Sequence, residues 1–153
     1  MKALGIDLGD ARTGVAVSEG YLSRGVLLIE ETGLKKTARR VADLAKEENA
    51  DVLVIGDPLN MDGTAGEKSE RAHAFGKLVQ GQLFARGLEK VRIVYQDERL
   101  TTVEAHTILH ETGNRDRGHR TKVDMLASEL ILERFLASER LREGEDYPGD
   151  EEK

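Results

Sequence analysis

An α/β fold with a five-stranded mixed sheet flanked by helices is what this sequence predicts, on three observations. Short apolar runs bounded by turn residues recur along the chain. The first three are joined by turns alone, whereas the later ones alternate with stretches of helical periodicity. At 153 residues the chain is long enough to bury the single core such a sheet requires.

The first strand is Ala3 to Leu8, apolar except for Asp7. Side chains alternate along a strand, so Leu4, Ile6 and Leu8 share one face while Ala3, Gly5 and Asp7 share the other. The carboxylate thus lies on the face with the smallest neighbours, which is expected to leave room for an ion or a phosphate. Asp10 to Gly14 reads as a turn, and Val15 to Ser18 as a second strand in an antiparallel hairpin. Gly20 to Gly25 makes another turn before a third strand, Val26 to Ile29. Leu34, Ala38, Val41, Ala42 and Ala45 give helical spacing from Leu34 to Asn49. Asp51 to Ile55 is a short buried strand that Gly56-Asp57-Pro58 stops. After the polar loop Leu59 to Gly66, a helix to about Ala85 buries Ala72, Phe75, Leu78, Val79 and Leu83. Val91 to Tyr95 is the fifth strand, followed by Gln96-Asp97-Glu98-Arg99. Thr101-Thr102-Val103-Glu104 fits a capping box opening a helix that ends near Gly113. A basic loop leads to the last helix, Thr121 to Leu141, with the stripe Val123, Leu126, Ala127, Leu130, Ile131 and Phe135. Hairpins give antiparallel pairs and crossovers parallel ones. This order is the pattern expected of a ribonuclease H-like (RNase H-like) fold, one domain over residues 1–141 with an acidic, disordered tail over 142–153.

Composition narrows the functions open to such a domain. The absence of cysteine excludes disulfides, thiolate metal sites and cysteine nucleophiles. No apolar run approaches the ~20 residues of a membrane helix. The first residues enter a strand pattern without a signal-peptide core, so a cytoplasmic address is expected. The net charge of −6 argues superficially against a nucleic-acid partner, yet Glu143 to the terminus holds six acidic residues against Lys153 alone. The body is therefore near neutral, with a basic patch at Arg115, Arg117, Arg120 and Lys122 beside His119.

Acids gather where ligands collect in such a sheet, beyond the carboxyl ends of its strands. Asp7 ends strand one, Asp57 follows strand four, and Asp97 with Glu98 follows strand five; Asp124 lies in the first turns of the last helix. Hard cations take oxygen ligands from a few carboxylates, and such sites hydrolyse phosphodiesters. Each acid also has an ordinary reading: a turn residue at Asp57, a solvated pair at Asp97 and Glu98, a helix-dipole partner at Asp124. Their shared rim is what favours a site. His106 and His110 have zinc-compatible spacing, but no third ligand accompanies them.

Four stretches carry a resemblance. They are Gly5-Ile6-Asp7-Leu8-Gly9 with Arg12 to Ser18, Gly56-Asp57-Pro58-Leu59-Asn60-Met61-Asp62-Gly63, Asp97-Glu98-Arg99-Leu100-Thr101-Thr102-Val103-Glu104-Ala105, and Lys122-Val123-Asp124. In this order, from about residue 1 to 137, the chain resembles the YqgF (RuvX) family, described as Holliday-junction resolvases and as pre-16S ribosomal RNA nucleases. The resemblance implies an RNase H-like fold and a carboxylate triad at Asp7, Glu98 and Asp124 that binds Mg²⁺ or Mn²⁺. Asp57 stands where the family usually has an apolar residue, Ser128 where alanine is commoner, and the basic loop is sparser than usual. Asp7 would bridge the metals, and Arg12, Arg99, Arg115, Arg117, Arg120 and Lys122 would position phosphates through sequence-independent contacts. With three Phe, three Tyr and no Trp, base stacking is a minor expectation, and the partner is branched DNA or precursor rRNA recognised by shape. A homodimer would suit a symmetric four-way junction. Two rival readings remain: a non-catalytic RNA-binding ribosome-assembly factor, and an actin-like phosphotransferase suggested by Gly-Ile-Asp-Leu-Gly, for which one lobe is too little.

Overall fold

A computed structural model describes residues 1–20, 22–30, 33–99, 107–108 and 119–143. In order they form β1 (Ala3–Leu8), β2 (Thr13–Glu19), β3 (Leu22–Ile29), α1 (Leu34–Glu47), β4 (Val52–Asp57), α2 (Glu67–Ala85), β5 (Arg92–Asp97) and α3 (His119–Glu143). The sheet order is β3-β2-β1-β4-β5. β1 pairs antiparallel with β2, and β2 with β3, whereas β1–β4 and β4–β5 are parallel. The expected mixed five-stranded sheet is therefore present. The capping box at Thr101–Glu104, the helix it opens apart from residues 107–108, and residues 144–153 of the expected acidic tail lie outside the described residues, whereas residues 142–143 belong to the last helix.

Strand alternation divides the core. Leu4, Ile6, Val15, Val17, Leu53 and Ile55 point to one face, where α1 and α2 cover them with Val41, Ala42, Ala45, Phe75, Val79 and Leu83. Ala3, Ala16, Val52 and Val54 point to the other, where α3 lays down Ile131, Leu132, Phe135 and Leu136. α1 stops because Asn49 takes a left-handed φ of 53° and the Ala50 N–H turns back to the Ala45 carbonyl at 2.9 Å.

Several expected boundaries move. β3 starts at Leu22 rather than Val26, because Glu19 to Val17 pair with Leu22 to Arg24. Its register shifts between Val15 and Ala16, which face Leu27 and Gly25. β4 runs through Gly56 and Asp57, and β5 through Gln96 and Asp97, since the two strands stay in ladder to Asp57↔Asp97. Asp57 and Asp97 are thus terminal strand residues, not loop residues. The seam of α3 also differs from the expected stripe. Leu132 and Leu136 join the core, while Leu126 and Leu130 pack partly buried around Val123 beside it.

The small-residue face of β1 does not stay open at Gly5. A Cβ there would meet Leu132 Cβ at 2.6 Å and the Ser128 carbonyl at 2.8 Å. At Gly14 on β2 a Cβ would collide with the Asp124 carbonyl. These glycines let α3 lie close against the sheet. The room inferred from small side chains is filled by helix, and opens only one pleat further on, at Asp7.

Candidate active site

Asp7 projects from the last pleat of β1, opposite Gly14. Glu98 follows β5 directly, its backbone N–H donating to the Asp57 carbonyl at 3.0 Å. Asp124 enters from α3, whose close approach at Gly14 fixes its height above the sheet. All three line one cavity of about 520 Å³, together with Gly9, Asp10, Gly56, Asn60, Met61, Lys68, Arg71 and Arg99. Gly56 makes room for Glu98: a Cβ there would sit 2.7 Å from Glu98 Oε2.

Burial pushes the Asp7 carboxyl up to about 6, with the negative charge of Asp124 adding to it and a hydrogen bond from Glu98 opposing it. Burial also pushes Glu98 up, to about 9, helped by the charge of Asp7, the hydrogen bond to Asp7 and the charge of Asp57, while Lys68 pulls the other way. Both carboxyls are thus raised by burial and by each other, which favours a proton shared between them through their mutual hydrogen bond. Asp124 is satisfied separately, since Arg12 Nε donates to its Oδ2 at 3.0 Å. With the acids compensated in this way, no group of three or more Asp, Glu or His side chains among the described residues is close enough to hold a metal ion as it stands. The donor chemistry suits a hard cation, because three carboxylates converge on one polar cavity and two of them stay uncompensated except by a proton.

The other candidates separate. Arg99 lines the cavity but is engaged by Asp97, with Nη2 2.8 Å from Oδ2. Arg12 is committed to Asp124. Arg115 and Arg117 lie outside the described residues, as do His106 and His110. Arg120 and Lys122 fall in the first turn of α3, where Lys122 is half-buried. Asp57 and Asp97 do not line the cavity. Asp57 turns toward α2, where its Oδ2 meets His73 Nε2 at 3.0 Å and its Oδ1 has no hydrogen-bond partner among the described residues. His73 in turn stacks on Tyr95 at 3.8 Å.

Two cations escaped the sequence reading. Lys68 and Arg71, one turn apart on α2, face the carboxylates across the cavity. Arg71 donates to the Gly9 carbonyl at 3.2 Å and lies 3.9 Å from the exposed Asp10. Lys68 has no hydrogen bond or ion pair among the described residues. The signal was present in Glu67-Lys68-Ser69-Glu70-Arg71, yet such mixed charge reads as an ordinary solvated helix start.

A family model described as RuvX, Holliday junction resolvase, matches residues 1–138. A Streptococcus uberis protein named "Putative pre-16S rRNA nuclease" is 38% identical over 141 residues, covering 89% of this chain and 97% of that protein. A Streptococcus mutans protein of the same name is 40% identical over 141 residues, with the same coverage of each. Among solved structures, T. thermophilus RuvC in complex with Holliday junction substrate superposes with a TM-score of 0.56 at 14% identity, covering 91% of this chain and 95% of that one. The fowlpox virus resolvase with substrate Holliday junction DNA gives 0.54 at 15% identity, over 90% and 98%. At such identities the structural likeness speaks for the fold alone, which is RNase H-like.

Proposed function

The chain belongs to the RuvX family, and from that premise we propose that it is a divalent-metal-dependent endonuclease whose Asp7, Glu98 and Asp124 hold Mg²⁺ or Mn²⁺. The coarser activity is that of a nuclease, a hydrolase acting on the ester bonds of nucleic acid. The observation that carries the finer reading is the convergence of three carboxylates from β1, the residue after β5, and α3 on one cavity. When bound, the cation would activate water and stabilise charge developing on the scissile phosphate.

The chain's own residues divide the remaining work. β1 is buried between β2 and β4 and holds Asp7 at a fixed height. The Asp7–Glu98 pair would release its proton to solvent, and Asp124 would part from Arg12, before the three carboxylates act together. Arg12 is then released toward phosphate, opposite Lys68 and Arg71 on α2. The substrate is structured nucleic acid, a four-way DNA junction or the 5′ region of precursor 16S rRNA. A homodimer on symmetric junctions and a cytoplasmic address belong to the same proposal.

One observation favours the non-catalytic RNA-binding reading: Asp124 is already engaged by the Arg12 guanidinium at 3.0 Å. A cleavage assay separates the two. Wild type and Asp7→Asn are compared on four-way junctions and on precursor 16S rRNA, with Mn²⁺, Mg²⁺ or chelator. Metal-dependent cutting lost in Asp7→Asn is expected. Equal binding of precursor with and without metal, and no cutting by either protein, would overturn the nuclease.

A further inference from the structure

A polar strut joins the end of β5 to the lip of the cavity. Arg99 Nε donates to Asp97 Oδ2 at 2.9 Å and to Oδ1 at 3.2 Å, and the Arg99 backbone N–H donates to Oδ1 at 3.0 Å. Nη2 approaches Oδ2 at 2.8 Å. Clamped in this way, the guanidinium turns Nη1 to the Met61 carbonyl at 2.9 Å. Met61 belongs to a turn that is itself internally fixed. The Gly63 N–H donates to the Asn60 carbonyl at 2.8 Å, and the Asn60 N–H to the Thr64 carbonyl at 2.9 Å. Asp62 Oδ1 accepts from the Thr64 N–H at 3.0 Å. Gly63 closes the turn with a φ of 87° that side-chain-bearing residues resist.

Each end of the strut touches the site. Asn60 and Met61 line the cavity, and Glu98 sits in the chain between Asp97 and Arg99. A phosphate seeking Arg99 would compete with a carboxylate already holding its fork, and Asp97 neutralises the charge it would offer. We propose, on the nuclease reading above, that Asp97 and Arg99 are positioning residues that fix the Asn60–Met61 lip relative to Glu98, and that Arg99 is not a phosphate contact.

The two roles predict opposite signs for Asp97. If Arg99 bound phosphate, Asp97→Asn would remove a repulsive charge and tighten binding. If the pair is a strut, Asp97→Asn and Arg99→Ala do the same damage. The experiment compares wild type, Asp97→Asn, Arg99→Ala, Arg99→Lys and the Asp97→Asn/Arg99→Ala double variant on a four-way junction. It reads kcat, KM and the salt dependence of KM, with hydrogen exchange over residues 59–66 of the full chain. Each variant is expected to lower kcat about tenfold or more, the order of effect a sub-ångström misplacement produces. KM and its salt slope stay near wild type, the double variant is no worse than either single, and exchange over 59–66 accelerates in all. Lysine fails to rescue, because an ammonium cannot bridge a carboxylate and a carbonyl in one plane.

A raised KM with a flatter salt slope in Arg99→Ala, rescued by lysine and absent or reversed in Asp97→Asn, would overturn the strut. Unchanged exchange over 59–66 would overturn it too, and that readout needs no turnover. Loss of cutting by the wild type itself would instead remove the nuclease reading.

Discussion

The two faces of the sheet do different jobs with different residues. On the face under α1 and α2 the central strands present large aliphatic side chains, Leu4, Ile6, Val15, Val17, Leu53 and Ile55, which are fully buried with Phe75. Under α3, β1 and β2 present the small residues Ala3, Gly5, Gly14 and Ala16, with Val52 and Val54 beside them on β4, so the helix backbone itself comes close. The first face stabilises by apolar area. The second fixes the height of Asp124 over Asp7, and its polar end carries the crowded acids. A protein arranged in this way should separate stability from site geometry by face.

The largest expected effect breaks that separation open from the site side. Asp7→Asn should lower metal-dependent cleavage by ~10³-fold or more, while raising the melting temperature of the metal-free protein, because a crowded carboxylate is removed. A lower melting temperature in chelator would contradict the crowding. On the opposite face, Phe75→Ala should cost about 3–5 kcal/mol in urea unfolding, with kcat per folded molecule unchanged. Gly5→Ala tests whether close approach matters. It should cost about 1–3 kcal/mol by overpacking and reduce cleavage as well, since α3 must lift with Asp124; activity kept at full stability loss would uncouple helix from site.

A smaller effect is read in pH. Asp7 rises from 3.8 to about 6 on folding, and Glu98 from 4.5 to about 9. An acid with a raised folded value binds its proton more tightly when folded. Its stabilising contribution is full below the unfolded value and is lost as pH rises through the folded one. Thermal melts in chelator should therefore decline from about pH 4 towards 9, and Mg²⁺ should flatten the decline. A flat profile in chelator would show the two acids already relieved. Smallest of all, Ser128→Ala removes a hydroxyl that bonds the Met125 carbonyl one turn back at 2.6 Å. It should shift stability by no more than ~0.5 kcal/mol, because such back-bonds gain a helix little.

Much of this was legible in the sequence because it is local. Apolar runs, turn residues and 3.6-residue periodicity gave five strands in the right order and the α1 and α2 faces. Strand ends were less legible, since Asp57 and Asp97 extend their strands only by pairing with each other. The face of Asp7 was read from side-chain size alone, and a helix more than a hundred residues away in sequence decided what fills it. Asp7 and Glu98 stood out by position at strand ends and Asp124 by its place early in the last helix. Only the family resemblance separated these three from Asp57 and Asp97, and their partners could not be read at all. Arg12 meets Asp124 across 112 residues, so its charge looked free. Lys68 was hidden in a helix start whose charges resemble any solvated surface.

The placement of α3 also has a consequence for synthesis. Its residues follow all five strands in sequence, yet it packs on β1, the central strand of the sheet and the first in the chain. Until α3 has left the ribosome, Ala3, Ala16, Val52 and Val54 face water on one side of an otherwise paired sheet. The cavity meanwhile has only two of its three acids. A nascent chain of this kind carries exposed apolar surface and an incomplete acid cluster together, and the same docking event ends both conditions.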